Sequence, residues 1–534
     1  MTPARILLLS IVLMTTTSAA VAGPWSSHRV AGGSVPTPQD TIEVTATVPY
    51  LGATGTGRGF VLLAPGHAAL ENPVLVIEGF DLENTMDWDE LYTQLNQEGL
   101  VESLGTRGFD AVVLDFTDAT DYLQRNAFVF TALLRQVEEA IAPEQTVLVV
   151  GASMGGLVAR YGLTWLESNA IPHRVRTFVS FDAPQRGANI PLGLQHWVEF
   201  FASQSADAAL FRDILNRPAA RQMLVYQFGS TSGSTAAADP LRATFQSELA
   251  LLGGYPAQPR RVAFANGAGN ALGQGYAAGA QLVDYNFSNL LTTIRGDIWA
   301  LPDGGSGTVF NGRLRIFLVT DQTRVVTVSG TKPYDNAPGG WRASLAQLDA
   351  TVAPFGDIVA LHDAHCFIPT VSALDLDDSD LFLDVSALPD PAGGSPFDAV
   401  YWADTNEEHV FISPATASRL LAELAPEVVS ADEPSPKLGD SRLALAPPSV
   451  SPNPVAGAAR IAFTLPQAGR AELRVLAVDG RLVTTLVQGE RPAGRHDVAW
   501  DGRADRGNQV PPGLYFAQLR WRGQSSVTRI VIAR

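Results

Sequence analysis

The sequence predicts an α/β fold: a mostly parallel sheet with helices on both faces, carrying a helical insert and a β-rich insertion, followed by a small all-β sandwich. Three observations predict it. From about Asp40 to Ala425, short continuous apolar runs alternate with amphipathic stretches. From 426 to 448 that pattern stops, in a segment containing Pro434-Ser435-Pro436 and Pro447-Pro448. From 449 to 534, short alternating segments are divided by turns such as Asp479-Gly480 and Asp501-Gly502. Apolar runs separated by helices make strands buried on both faces of a parallel sheet. Short strands at regular spacing with turn residues between them make a sandwich.

The elements follow in order. Thr41 to Val48 alternates, as a half-buried strand does, and with Gly59 to Leu63 it suits an antiparallel edge. Pro73 to Gly79, Phe109 to Phe116, Thr146 to Gly151 and Val175 to Phe181 read as buried parallel strands. Between them lie helical patterns at Trp88 to Gly99, Tyr122 to Ile141 and Leu157 to Ser168. Residues 190–252 look mainly helical, as in Pro191 to Phe201 and Asp207 to Leu224, and are expected to form a cap. Arg260 to Ala265 returns to the sheet. Residues 270–360 are Gly-rich and β-like, an insertion whose fold the sequence leaves open. Phe397 to Trp402 is expected as the last strand and Pro414 to Ala425 as the last helix.

Bulk properties set limits. A chain of 534 residues, 46 % hydrophobic and 17 % charged, has enough apolar content for a large core. A net charge of −17 argues against nucleic acid as a partner, because like charges repel at long range. Arg5, the short apolar run Ile6 to Met14 and Ala20-Val21-Ala22 read as a signal peptide over 1–22, so the protein is expected to be secreted or held at the cell surface. No stretch suggests a transmembrane span. The domains expected are then 23–425, a linker at 426–448 and a C-terminal domain at 449–534. The single cysteine, Cys366, excludes an internal disulfide and lies in apolar surroundings, so it reads as a small buried hydrophobe. No His/Asp grouping has metal-ligand spacing, and no metal or cofactor is expected.

The central signal is Thr146-Val-Leu-Val-Val-Gly-Ala-Ser-Met-Gly-Gly156. A buried strand runs into Gly151-x-Ser153-x-Gly155 and then a helix. In such a turn the serine backbone is strained, and the residues two before and two after must be tiny. The hydroxyl then stands above the sheet, with the helix N-terminus behind it offering N–H groups to an oxyanion. Ser153 is the expected nucleophile.

With Glu78-Gly-Phe-Asp81, Tyr122-Leu-Gln-Arg-Asn126, Gly151 to Tyr161 and Phe181 to Asn189, the stretch from Asn72 to Pro191 resembles the secreted lipase/esterase branch of the α/β-hydrolase superfamily. More narrowly it resembles hydrolases of Bacteroidetes-like bacteria that carry a C-terminal secretion signal. Many lipases have Pro-His-x-Gly where this chain has Pro184-Gln-Arg-Gly187, a departure away from the expected catalytic positions. The resemblance implies oxyanion donors at the backbone N–H groups of Met154 and Phe80. The chain order Ser, acid, His points to His409, between the last strand and last helix, with His362 and His365 as earlier competitors. The acid is ambiguous, because the loop after Arg260 to Ala265 holds no carboxylate. Asp182, at the end of the preceding strand as in pancreatic-type lipases, is favoured over Asp363 and Asp375.

From Ser451-Pro-Asn-Pro454 onward, with Gly513-Leu-Tyr515 and the basic Arg529 and Arg534, the C-terminal segment resembles the sorting domain of type IX secretion cargo. That domain is close to the FlgD-type Ig-like domain of flagellar hook caps. The resemblance implies secretion machinery as a partner. The expected activity is hydrolysis of carboxylic esters through an acyl-enzyme. Trp197, Phe200 and Phe201 in the helical insert favour an apolar acyl group, with packing on the core as the alternative for such residues. The alternatives are an amidase or peptidase using the same residues, and a catalytically inactive surface-binding protein.

Overall fold

The computed structural model describes residues 35–532 apart from 82–86, 352, 354, 378, 426–447, 452–454, 456–457, 466–467, 478–480, 505–507 and 522–523. The signal peptide expected at 1–22, the linker over 426–447, Pro452-Asn453-Pro454, the Asp479-Gly480 turn and Arg534 lie outside the described residues. The chain divides into two compact units, Met1–Glu427 and Val428–Arg534.

In the first unit the strands are β1 (Asp40–Thr45), β2 (Thr56–Leu62), β3 (Val74–Ile77), β4 (Ala111–Phe116), β5 (Val147–Ala152), β6 (Val175–Phe181) and β7 (Arg260–Ala268). There follow β8 (Gln281–Ser288), β9 (Thr292–Trp299), β10 (Ser306–Ile316), β11 (Thr320–Ser329), β12 (Gly339–Arg342), β13 (Ile358–Ala360), β14 (His365–Pro369) and β15 (Ala399–Ala403). The central sheet has the order β1-β2-β4-β3-β5-β6-β7-β15. β1 and β2 form the antiparallel edge. From β4 to β15 every pairing is parallel.

β3 shows why the apolar runs are continuous. Successive strand side chains point to opposite faces. Leu75 and Ile77 enter the core beneath the helices Leu123–Ala140 and Met154–Ser168. Val74 and Val76 enter the second core, with Trp88, Leu104 and Leu420. All four residues of β3 are buried, as are all six of β4.

The helical insert holds Leu192–Phe201, Ala206–Leu215, Pro218–Met223 and Pro240–Leu251. Pro240–Leu251 packs beside the sheet helices: Phe245 is fully buried and stacks on Tyr161 at 5.8 Å, and Glu248 accepts hydrogen bonds from Tyr50 and Gln124. The insertion left open by the sequence is an antiparallel sheet of order β11-β10-β9-β8-β13, together with a β12–β14 ribbon. Leu192–Phe201 lies on that sheet. Phe200 meets Phe310 at 5.6 Å, Phe201 meets Tyr285 at 6.1 Å, and the Trp197 ring covers Gly296. These three aromatics, read from sequence as favouring an apolar acyl group, pack the insertion onto the body instead. A helix that must cover a sheet carries the same apolar pattern as one that lines a cleft.

In the second unit every pairing between the described strands is antiparallel. Its strands are β16 (Ser449–Ser451), β17 (Ala459–Leu465), β18 (Gly469–Ala477), β19 (Leu482–Arg491), β20 (Gly494–Trp500), β21 (Gly513–Trp521) and β22 (Gln524–Ile532). They form sheets of order β16-β17-β20 and β19-β18-β21-β22. Inward residues such as Ile461, Phe463, Leu473, Val475, Trp500 and Leu519 make the core between them. No described helix is long and apolar enough to cross a membrane.

Candidate active site

The site is built at the carboxyl ends of adjacent parallel strands, where an open α/β sheet offers its crevice. β5 ends at Ala152, and the helix Met154–Ser168 begins immediately after Ser153. Ser153 takes φ 53° and ψ −124°, a strained conformation for a residue with a side chain. The surroundings hold it there. Its N–H donates to the Phe181 carbonyl at 2.9 Å. A Cβ on Gly151 would sit 2.4 Å from the Gly155 carbonyl oxygen, and one on Gly155 would sit 2.4 Å from that of Ile77. Both glycines of the motif are therefore required by close backbone approach.

Three of the expected residues meet in one hydrogen-bonded line. Ser153 Oγ lies 2.7 Å from His409 Nε2, and His409 Nδ1 lies 2.6 Å from Asp182 Oδ2. The two bonds dictate the tautomer: Nδ1–H donates to the carboxylate and Nε2 accepts from the serine. Asp182 follows β6 with φ 46°. Its N–H donates to the Phe264 carbonyl at 2.8 Å, and its Oδ1 accepts the Asn266 N–H at 3.0 Å. All three side chains are buried. Burial lowers the His409 pKa below the ordinary histidine value, the bond to Asp182 opposes that, and the Arg342 charge adds to the lowering. The imidazole is thus neutral at neutral pH and able to accept a proton.

Residues that the sequence did not single out wall this line, and they come from the β12–β14 ribbon. The His409 backbone N–H donates to the Trp341 carbonyl at 2.9 Å, and the Trp341 backbone N–H donates to that of Glu407 at 3.0 Å. A Cβ on Gly340 would sit 2.3 Å from Asp182 Oδ2, so bare backbone closes over the carboxylate. The Phe367 ring meets the His409 ring edge-on at 4.9 Å, and the half-buried Arg342 guanidinium lies 5.7 Å over Phe367.

The expected oxyanion donors belong to the two backbone segments next to Ser153. Met154 is the first residue of the helix, where backbone N–H groups have no partner within the helix. A Cβ on Gly79 would sit 3.1 Å from Ser153 Cβ, so the Gly79-Phe80 backbone passes close to the hydroxyl. Behind it, buried Glu78 accepts the Phe116 N–H. Burial first, then the neighbouring Asp115, raises the Glu78 pKa well above the ordinary glutamate value, and the bond from the Phe116 N–H opposes that.

The competing candidates have other partners. Asp363 is exposed. Asp375 binds Arg186 at 2.7 Å and Arg160 at 3.4 Å and accepts from the Tyr255 phenol. His362 packs on the Tyr276 ring at 4.4 Å. His365 Nε2 meets Ser344 Oγ at 3.2 Å, and its Nδ1 faces the Cys366 carbonyl at 2.9 Å. Cys366 is fully buried, and burial raises its thiol pKa. No cluster suited to a metal occurs among the described residues. A serine, an imidazole and a carboxylate so aligned can carry out nucleophilic attack on an acyl carbon.

Residues 114–219 match the PGAP1-like alpha/beta domain, and residues 450–521 match the FlgD Ig-like domain. The first unit thus carries a stretch similar to a PGAP1-like alpha/beta domain, and the second a stretch similar to an FlgD Ig-like domain. Among solved structures it is similar to Est1E from Butyrivibrio proteoclasticus (12 % identity, covering 27 % of this chain and 51 % of that one, TM-score 0.20). It is also similar to a fungal esterase from Rhizomucor miehei (15 % identity, covering 43 % and 67 %, TM-score 0.26). A third is PorZ, a surface component of the type-IX secretion system of Porphyromonas gingivalis (26 % identity, covering 16 % and 11 %, TM-score 0.13). The chain spans about half of Est1E and a tenth of PorZ. No curated protein matches it.

Proposed function

We propose that the chain is a secreted serine hydrolase that cleaves carboxylic esters. The observation that carries this reading is the unbroken line Ser153–His409–Asp182, set at a strained strand-to-helix elbow of an α/β-hydrolase sheet. His409 takes the Ser153 proton as Oγ attacks the ester carbonyl. The oxyanion is held by the Met154 and Phe80 N–H groups, and the imidazolium by Asp182. His409 then gives its proton to the departing alcohol, leaving an acyl-enzyme. Water attacks next, its proton passing to His409, and the acid is released as Oγ regains a proton. The C-terminal FlgD-like unit is not part of the chemistry. Its likeness to sorting domains supports export to the cell surface or beyond.

The test is hydrolysis of a p-nitrophenyl ester series from short to long acyl, with the mature chain and Ser153→Ala. Turnover in the intact protein that vanishes in Ser153→Ala is expected. An intact protein silent on every ester but labelled at Ser153 by a phosphonate moves the assignment to amide substrates. Silence in both assays leaves a binding protein.

A further inference from the structure

The insertion sheet ends in an apolar prow. At the β8–β9 turn, Asn289 does the turning: its side chain accepts the N–H groups of Leu291 at 2.9 Å and Thr292 at 2.7 Å. That leaves Leu290 90 % exposed, with Leu291 beside it also exposed. At the neighbouring β10–β11 turn, the Val319 N–H closes on the Ile316 carbonyl at 2.9 Å, and Leu318 stands 90 % exposed between exposed Phe317 and Val319. The two turns are tied together by the Phe317 N–H donating to the Leu291 carbonyl at 2.8 Å. Five exposed apolar side chains thus form one rigid tip.

Leu318 is costly in two ways. Its φ is 62°, in the left-handed region, at the third position of a turn where glycine or asparagine is the unstrained choice. It also places a full leucine side chain in water. A turn that pays twice for an aliphatic residue points to an apolar occupant.

We infer that this double tip inserts into the surface of a zwitterionic lipid bilayer and docks the protein there. A protein partner fits poorly, because a stable interface needs roughly 20–30 residues a side, and five residues on a convex tip do not supply them. Acyl chains need no complementary shape and accept a convex apolar wedge. The net charge of −17 disfavours an anionic surface and leaves apolar insertion as the attraction. The inference stands apart from the ester reading, since it concerns where the protein sits and not what Ser153 does.

The experiment is flotation of the full chain with phosphatidylcholine vesicles at physiological salt, comparing wild type, Leu318→Asn, and Leu290→Ser with Leu318→Asn. Wild type and Ser153→Ala are expected to float alike. The double variant is expected to lose bound protein by about tenfold or more, since two leucine side chains no longer leave water. Leu318→Asn alone is expected to reduce binding while leaving the thermal midpoint unchanged or higher, because asparagine suits the left-handed position. That separates docking from folding even where the double variant is unstable. Wild type that stays with the soluble fraction overturns the inference, as does Leu318→Asn floating like wild type. So does a lipid-independent dimer that the double variant dissociates, which would assign the tip to a second copy of the chain.

Discussion

Among the described residues of the first unit two serine–histidine pairs are buried, and only one is backed by a carboxylate. Ser153 and His409 meet at 2.7 Å, Ser344 and His365 at 3.2 Å, and all four are buried. The imidazoles differ in what lies behind them. His409 donates to a carboxylate, whereas His365 faces a backbone carbonyl that can orient the ring but cannot balance a positive charge. The serines differ too: Ser153 is strained at the elbow, whereas Ser344 is the first residue of the short helix Ser344–Asp349. Both pairs touch the same ribbon, since Arg342 pairs with His365 across β12 and β14. Proximity of a serine and a histidine is therefore a weak sign of function. The acid and the strained backbone carry the information.

The comparison breaks most readily at the serines. Ser153→Ala is expected to lower kcat by about 10⁴-fold or more. Ser344→Ala is expected to leave kcat within about threefold and to cost about 1 kcal/mol of stability, the worth of an ordinary hydrogen bond. Steady-state ester hydrolysis and thermal unfolding read the two effects, and equal losses of turnover would erase the distinction. Next, Asp182→Asn is expected to lower kcat by about 10³- to 10⁴-fold with the fold intact, because the amide presents the wrong tautomer to His409.

A smaller effect separates the pairs by pH. Burial pushes the His365 pKa down to about 4, against 6.5 for a free histidine. Between those values the unfolded chain binds the proton and the folded one does not. Stability is therefore whole above about pH 6.5 and falls as the pH drops toward 4, by up to about 3 kcal/mol. His365→Gln is expected to flatten that part of a stability–pH curve. The smallest effect belongs to Arg342, whose charge helps depress the His409 pKa. Arg342→Gln is expected to move the acid limb of kcat/KM to higher pH. A shift the other way would show that the guanidinium acts through packing on Phe367.

What was legible in the sequence is what local patterning writes. The buried strands are continuous apolar runs because both faces of β3, β4 and β5 are covered. The Gly-x-Ser-x-Gly spacing is fixed by backbone contacts within a few residues and the neighbouring strand. The β12–β14 ribbon wrote no such pattern. Its strands are four and five residues long with a register shift between Gly340 and Trp341, and its partners lie far along the chain. Gly340, Trp341, Arg342 and Phe367 become site residues only through that pairing. The aromatics of Leu192–Phe201 were ambiguous for the opposite reason: their pattern was plain, but it does not say which surface they cover, and of the two readings the contacts favour packing. Asp182 stayed ambiguous because the loop after β7 lacks a carboxylate, while the preceding strand's end could supply one.

The distances along the chain set an order in time. The bond from His409 to Ser153 joins residues 256 positions apart, and the bond to Asp182 joins residues 227 apart. Loops of that length close late, after local elements have formed. A nascent chain that stops short of residue 409 holds strand, elbow and acid but not the His409 imidazole. Ser153 therefore stays an ordinary alcohol until nearly the whole first unit has been delivered and folded. The onset of turnover on refolding then works as a clock for the last long-range closure.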